Sequence, residues 1–379
     1  IGDNKNPLYI PFWLMNFEEL AFFLVGERPS DDNRPEYRNL RELITTQKKA
    51  NYKLKAGNVR PEYITSDSPI PFNIRKVWHE MNWGFVATFT QAGQANQAKD
   101  SAEQLDSGIP DKLIPAKFKQ YAMGNQAPYK SKHQQYYSYE KKLLARLKDS
   151  RYDFMFNPGE YRNEDGKKDL HNLLHEWIGN KERLTILDLR GIPFEILDIS
   201  IGLITRFIFD SMFWGRTDKI TGKNRPILLA YEEAHTYLNQ TENNNYALDA
   251  VEKIFKEGRK FGIGALIVSQ RPSEVSETIL AQIGTYISLR LTNSTDQSTV
   301  KSSAPDNMIS LINLLPSLRI GEAIILGESI NIPSRVRIQL NSPRPTSEDP
   351  DVVKSWKNTF TDNPDNYKSV VTKIREQKL

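Results

Sequence analysis

Residues 226 to 235 read Pro-Ile-Leu-Leu-Ala-Tyr-Glu-Glu-Ala-His, and the two adjacent acids that close this apolar run are the strongest chemical signal in the chain. A run such as Ile227 to Ala230 suits a strand buried on both faces of a parallel sheet. Such a strand delivers its last side chains to the carboxyl edge, where open α/β sheets bind ligands. Neighbouring strand residues point to opposite sides, so the two carboxylates can serve two tasks. One of them suits a hydrated Mg²⁺, which prefers oxygen ligands and keeps several waters. The other suits the orientation and deprotonation of the water that attacks a nucleoside triphosphate. A plainer role is also open: acids favour helix N-termini, and a helix could begin near Ala234.

The elements that would position this chemistry follow in order. Residues 263 to 272 form a second apolar run that ends in Ser269, Gln270 and Arg271 and is stopped by Pro272. Between the runs, Ala247, Val251, Ile254 and Phe255 fall at helical spacing, with Gly258 placed to end the helix. The unit is therefore strand, helix, strand, and parallel neighbours bring their ends side by side. Ser269 and Gln270 should lie near Glu232 and Glu233, and the Gln270 amide can donate to a phosphate oxygen and accept from water. Arg259, in Gly258-Arg259-Lys260-Phe261-Gly262, has two readings. It caps a helix C-terminus as cations do, or it is an arginine finger that stabilises phosphoryl transfer in a neighbouring subunit.

Taken together, Tyr231-Glu232-Glu233-Ala234-His235, Gly258 to Gly264, Ser269-Gln270-Arg271-Pro272-Ser273-Glu274 and Leu289-Arg290-Leu291-Thr292-Asn293 resemble the HerA-type ATPases of the FtsK/HerA branch of RecA-like P-loop proteins. The likeness extends to Ile10–Leu20 and to Ile186–Pro193, and is weakest over the middle third. It implies an α/β fold with a mostly parallel RecA-like sheet flanked by helices, a helical insertion and a C-terminal extension. It also implies ATP and Mg²⁺ as cofactors, with Glu232 on the metal side, Glu233 as catalytic base, Gln270 as γ-phosphate sensor and Arg259 acting in trans. The implied partners are further copies of the chain in a hexamer, double-stranded DNA, and a nuclease or other effector in DNA end processing or antiphage defence. The alternative activity is a ring-shaped scaffold that activates an effector, with ATP as regulatory ligand.

A motor of this kind needs a Gly-x-x-x-x-Gly-Lys-Ser/Thr loop to cradle phosphates. The Gly-Lys pairs present, Gly166-Lys167 and Gly222-Lys223, are followed by Lys168 and Asn224 and cannot form it. With Ile1 as first residue, the chain is expected to be a fragment whose lost portion carries a small barrel, that loop and the first core strand.

Four regions are expected: residues 1–90 as an N-terminal helical part of the ATPase domain, 91–180 as an inserted helical subdomain, 181–340 as the RecA-like core with its Walker B and sensor strands, and 341–379 as an extension packing on a neighbouring subunit. Asn16 and Glu19 should cap a helix with Phe17, Leu20, Ala21 and Leu24 inward. A second helix near 36–50 should bury Tyr37, Leu40 and Ile44, with polar Gln47 and Lys48 beyond that stripe. Leu184–Leu189 and Tyr286–Leu291 read as further strands, Met308–Leu315 as a short helix, and Ala323–Leu326 with Val336–Leu340 as a hairpin. Cations and aromatics alternate from Lys117 to Lys142, Tyr136 among them. This pattern fits either nucleic-acid contact or, in the favoured reading, a solvated face.

With 379 residues, 39% hydrophobic, the chain can bury a substantial core. Zero cysteines exclude disulfides and Cys-ligated zinc and fit the cytoplasm. No run approaches the roughly 18 apolar residues of a membrane span. Ile196–Trp214, interrupted by Asp198, Arg206 and Asp210, reads as a core helix. The net charge of +4 neither demands nor forbids DNA. His171 and His175 share a helical face, but the pattern around Glu176 is not that of a zinc protease.

Overall fold

The computed structural model describes residues 7–25, 34–55, 59–133, 137–162, 167–239, 245–302, 309–342, 351–357 and 363–376. Tyr136 and the proline-rich stretch 343–350 lie outside them. Contacts divide the chain into two compact units, Ile1–Ser211 and Met212–Gln377.

The first unit is mainly helical. Helix α1 (Phe17–Val25) begins at a reciprocal cap: Glu19 N–H donates to Asn16 Oδ1 at 2.8 Å, and Asn16 N–H to Glu19 Oε2 at 2.9 Å. This satisfies two donors that a helix start otherwise leaves unpaired. Phe17, Leu20, Ala21 and Leu24 are buried, as their spacing requires. Helix α2 (Pro35–Lys55) buries Tyr37, Leu40 and Ile44. Helix α3 (Ile74–Val86) starts at Asn73, whose side chain accepts the N–H groups of Arg75 and Lys76. Within the expected insertion, helical turns alternate with short strands. After β1 (Thr88–Phe89) come β2 (Gln104–Asp106), β3 (Lys117–Phe118) and β4 (Tyr129–Lys130), which pair antiparallel as β1 with β4 and β2 with β3. Helices α4 (Tyr137–Lys148), α5 (Asp153–Phe156), α6 (Leu170–Leu174) and α7 (Phe194–Trp214) complete the order.

Two buried charges, Glu19 and Lys48, organise this unit. Arg206, on α7, donates from Nε to Glu19 Oε1 at 2.7 Å and from Nη2 to Glu19 Oε2 at 2.8 Å, and Nη2 also reaches the Leu14 carbonyl at 2.8 Å. The carboxylate that caps α1 is thus the one that anchors α7. Lys48 differs from expectation: it is 1% exposed, not polar surface beyond the stripe. Its Nζ donates to the carbonyls of Ser66 at 2.6 Å and Ser68 at 2.7 Å and stands 5.3 Å from the Phe72 ring centroid. Burial pushes its pKa down to about 7, with Asp67 opposing and Arg206 adding to the effect.

The second unit holds β5 (Ile227–Tyr231), α8 (Tyr246–Glu257), β6 (Ile263–Ile267), α9 (Glu277–Leu280), β7 (Thr285–Ser288), α10 (Ser294–Ser302), α11 (Ile309–Ile312), β8 (Glu322–Gly327), β9 (Ser334–Arg337), α12 (Val352–Trp356) and α13 (Lys368–Glu376). β5 and β6 pair in parallel, and α8 between them buries Ala247, Val251 and Ile254. The expected hairpin forms: β8 pairs antiparallel with β9 and, on its other side, with β7. Val300, Ile312, Leu315, Leu318, Ile324 and Leu326 make a core under that sheet.

The continuous, mostly parallel sheet is not formed among the described residues, where β5–β6 is the parallel pair and the other ladders are antiparallel. Leu184–Leu189 forms no regular structure and belongs to no ladder, and Leu184 and Ile186 are exposed. A strand is defined by its partner, and apolar composition alone does not supply one. Nor is β5 buried on both faces: Leu228 is 66% exposed and, on β6, Leu266 is 45% exposed. β6 and β7 do not pair, and a cavity of about 960 Å³ opens between them, lined by Leu266, Val268, Ile287 and Leu289.

Two stability outcomes follow. Arg206→Met should cost about 3 kcal/mol in urea unfolding, because it strands the Glu19 charge, and adding Glu19→Gln should recover part of the loss; equal stability of the two variants would refute the coupling. Between pH 7 and 10 the unfolded chain keeps the Lys48 proton that the folded chain has released, so stability from this group rises with pH. The stability difference between wild type and Lys48→Met should therefore grow by about 1 kcal/mol per pH unit across that window; a flat difference would contradict a depressed lysine.

Candidate functional site

The site is assembled by the backbone of the second unit. Register runs from Ile227 opposite Ile263 to Tyr231 opposite Ile267. Hydrogen bonding continues past both strands: Val268 N–H donates to the Tyr231 carbonyl at 2.9 Å, and Ala234 N–H to the Val268 carbonyl at 3.0 Å. The turn carrying Glu232 and Glu233 is thereby stitched to the segment carrying Ser269 and Gln270. At the other end of the pair, Gly262 adopts φ +80°, and a Cβ there would meet the Gly222 carbonyl oxygen at 2.7 Å. Gly258 ends α8 as expected, with right-handed φ −55°, and the left-handed residue of the turn is Gly262.

Glu233 and Gln270 meet directly, Nε2 donating to Glu233 Oε1 at 2.7 Å. The second carboxylate oxygen, Oε2, lies 3.5 Å from His235 Nδ1, and that nitrogen lies 3.3 Å from Ser269 Oγ. One oxygen of the carboxylate thus accepts from an amide, and the other faces a half-buried imidazole. Glu232 and Glu233 occupy the turn after β5, not its last strand positions, and both are exposed. Glu233 has φ 50° and ψ 39°, the left-handed region. This is a costly conformation for a residue with a Cβ.

Tyr237 was not foreseen as part of the site. Its hydroxyl donates to the Glu232 carbonyl at 2.8 Å. Burial raises its pKa, with Tyr231, Glu232 and Glu233 adding, so it stays a donor. The available signal was a hydroxyl-bearing aromatic within one turn of the two acids.

Arg259 is not brought to this rim. It is exposed in the 3-10 turn Gly258–Phe261 that precedes β6, whereas Gln270 follows β6. The five strand residues between them span roughly 16 Å. Arg335 is paired with Glu322 at 2.6 Å, Arg271 with Glu274 at 2.6 Å, and Asn293 Oδ1 accepts the Thr295 N–H at the start of α10 at 2.8 Å. No group of three or more His, Asp or Glu side chains that could hold a metal ion occurs among the described residues. Among them, too, no helix is long and apolar enough to cross a membrane.

The description "Helicase HerA, central domain" matches residues 1–208, and "Helicase HerA-like C-terminal" matches residues 217–364. The DNA double-strand break repair helicase HerA of Saccharolobus solfataricus is 34% identical over 175 residues, 46% of this chain and 35% of that protein. Its counterpart in Pyrococcus furiosus is 43% identical over 113 residues, 30% of this chain and 20% of that protein. The matched region thus spans about a third or less of the relatives' length. Among solved structures, the genome packaging NTPase B204 of Sulfolobus turreted icosahedral virus 2, in complex with ATP-gammaS, aligns over 38% of this chain and 63% of its own, with a TM-score of 0.30 and 12% identity.

The left-handed backbone at Glu233 predicts that Glu233→Gly will raise stability by up to about 1 kcal/mol in urea unfolding, since relief of φ strain outweighs loss of an exposed hydrogen bond. A loss of stability would mean that the carboxylate's contacts hold the turn.

Proposed function

The chain belongs to the HerA helicase family, and on that premise we propose that it forms the catalytic rim of an ATP-driven DNA translocase assembled as a hexameric ring. The observation that carries the reading is the 2.7 Å bond between Gln270 Nε2 and Glu233 Oε1 at the joined ends of two parallel strands. It makes one functional group of an acid and an amide that lie 37 positions apart. The donor set fits Mg²⁺-ATP: two exposed carboxylates suit a cation that keeps most of its waters. Glu232 would hold the metal side. When bound, Mg²⁺-ATP supplies the electrophilic γ-phosphorus.

Glu233 acts as base, taking the proton of the attacking water onto a carboxylate oxygen. His235 and Ser269 fix the rotation of that carboxylate, which matters because a base must meet its proton within hydrogen-bond reach. Gln270 can trade its bond with Glu233 for one with a phosphate oxygen, so the base is engaged until the amide finds its other partner. Tyr237 pins the Glu232 backbone. Arg259, at the far end of β6, serves a neighbouring subunit as an arginine finger.

Support for a ring comes also from the C-terminal segment. On α12, Val352, Val353 and Trp356 are exposed, as are Val370, Val371 and Ile374 on α13. We assign these faces to the adjacent subunit. Double-stranded DNA is the proposed track, in keeping with relatives named as double-strand break repair helicases. A nuclease or other effector is the proposed partner, in end processing or antiphage defence in the cytoplasm.

In the protein that carries this chain, Glu233→Gln should lower ATP turnover at least about 100-fold while ATP binding persists. Arg259→Ala should also abolish turnover. Mixing the two inactive proteins should restore a fraction of activity, because an intact Glu233 can then face an intact Arg259 across an interface. Turnover unaffected by Glu233→Gln defeats the base assignment, and mixing without recovery defeats the trans finger.

A further inference from the structure

Gln270 is aimed by more than its bond to Glu233. The segment that carries it leaves β6 at Val268, whose N–H is held by the Tyr231 carbonyl, and runs into a 3-10 turn, Pro272–Glu274. Between these points Ser269 Oγ accepts the Arg271 N–H at 3.1 Å. A helical turn leaves its first N–H groups without partners of its own. The residue at the capping position, Arg271, makes no side-chain cap, because a guanidinium donates and does not accept.

The acceptor comes from another element. Asp296, on α10 and 23 positions away, takes both donors of Ser273 on one carboxylate oxygen, the N–H at 3.1 Å and the hydroxyl at 2.6 Å. Its own helix does not need that carboxylate. Asn293 already caps α10, its Oδ1 accepting the N–H groups of Thr295 at 2.8 Å and of Asp296 at 3.3 Å. Asp296 is nonetheless 6% exposed, and burial of a carboxylate is tolerable where hydrogen bonds compensate it. The bonds from Ser273 supply that compensation and tie the start of α10 to the segment after Gln270.

Gln270 therefore sits between two fixed backbone points, Val268 before it and Ser273 after it, with the ring of Pro272 locking a further φ between them. Downstream the segment is tied again. Ser276 N–H donates to the Leu238 carbonyl at 2.9 Å, and Ser276 Oγ donates to Glu252 Oε1, on α8, at 3.2 Å. Held in this way, the amide can leave Glu233 for a phosphate oxygen by side-chain rotation while its backbone stays still. Release of Ser273 would let the chain beyond Gln270 swing about Val268. A misplacement of about 1 Å near a reacting centre costs on the order of a hundredfold in rate.

We propose that Asp296 is a positioning residue for ATP hydrolysis, which through Ser273 holds the backbone of Gln270 so that its amide meets the γ-phosphate. The inference rests on the reading of Gln270 as phosphate sensor and extends the rim to a residue of α10 that acts through the backbone.

Steady-state ATPase kinetics on the full protein that carries this chain test it, with single and paired variants. Asp296→Ala should lower kcat about tenfold and change KM for ATP by less than about threefold. Asp296→Asn keeps an oxygen that can accept both bonds and should restore at least about half of the wild-type kcat. The discriminating background is Gln270→Ala, itself expected to lose about a hundredfold in kcat. There Asp296→Ala should cause no further loss, because no amide remains to be aimed; a merely structural role predicts the same tenfold fall in both backgrounds. If Asp296→Ala does not fold, Ser273→Ala, which removes the hydroxyl bond and keeps the N–H, takes its place with an expected loss of about threefold. Wild-type kcat in the Asp296 and Ser273 variants, a full further loss in the Gln270→Ala background, or an asparagine variant as slow as the alanine one overturns the proposal and leaves the sensor reading intact. Wild-type turnover in Gln270→Ala overturns the sensor reading and this inference with it.

Discussion

Everything at the carboxylate rim depends on the register in which β5 and β6 run side by side. Because Tyr231 faces Ile267 and the hydrogen bonds continue one step beyond each strand, the turn with the two acids and the segment with the amide have a single relative position. Side-chain alternation has a period of two, so a slip of one residue would exchange the faces of Ser269 and Gln270 and leave Glu233 without its amide. Side-chain contacts at the rim, all partly solvated, are too weak to impose that alignment. The backbone imposes it, and the side chains follow.

Buried and exposed charges do different work in this chain. In the first unit, Glu19 and Lys48 are buried, and each is met by hydrogen bonds: a carboxylate that caps one helix and anchors another through half-buried Arg206, and an amine held by two carbonyls. Burying such groups is tolerable only with that degree of satisfaction, and the result is directional, because each bond fixes one helix against another segment. In the second, Glu232, Glu233 and Gln270 are exposed and their contacts can be exchanged. The first arrangement suits a fixed scaffold, the second a site whose bonds must change partner.

Much of the rim was legible in the sequence. An apolar run ending in acids, a helix of the right length and a second run ending in Ser-Gln specify a strand–helix–strand unit, and such a unit brings its ends together. Conformation was less legible. Nothing in the residue types announces that Glu233 sits at positive φ, where Gly, Asn or Asp would be the usual occupants. Lys48 shows the converse conflict. It continues the stripe of Tyr37, Leu40 and Ile44 at four-residue spacing, so position argued for burial while residue type argued for water, and position prevailed because two carbonyls were there to receive the amine. Leu184–Leu189 was misjudged for a third reason: hydrophobic pattern reports what a segment could bury, whereas strand structure also needs a neighbouring backbone.

The crossover through α8 has a bearing on how the protein is made. Antiparallel neighbours such as β8 and β9 can zip together from a short turn, but parallel β5 and β6 can meet only after the chain has travelled out along α8 and returned. Closure of so long a loop is entropically slow. The carboxylate rim should therefore be among the last features to mature in the second unit, appearing after the hairpin and its core are in place, so that a nascent or stalled molecule can look largely folded while Glu233 and Gln270 are still apart.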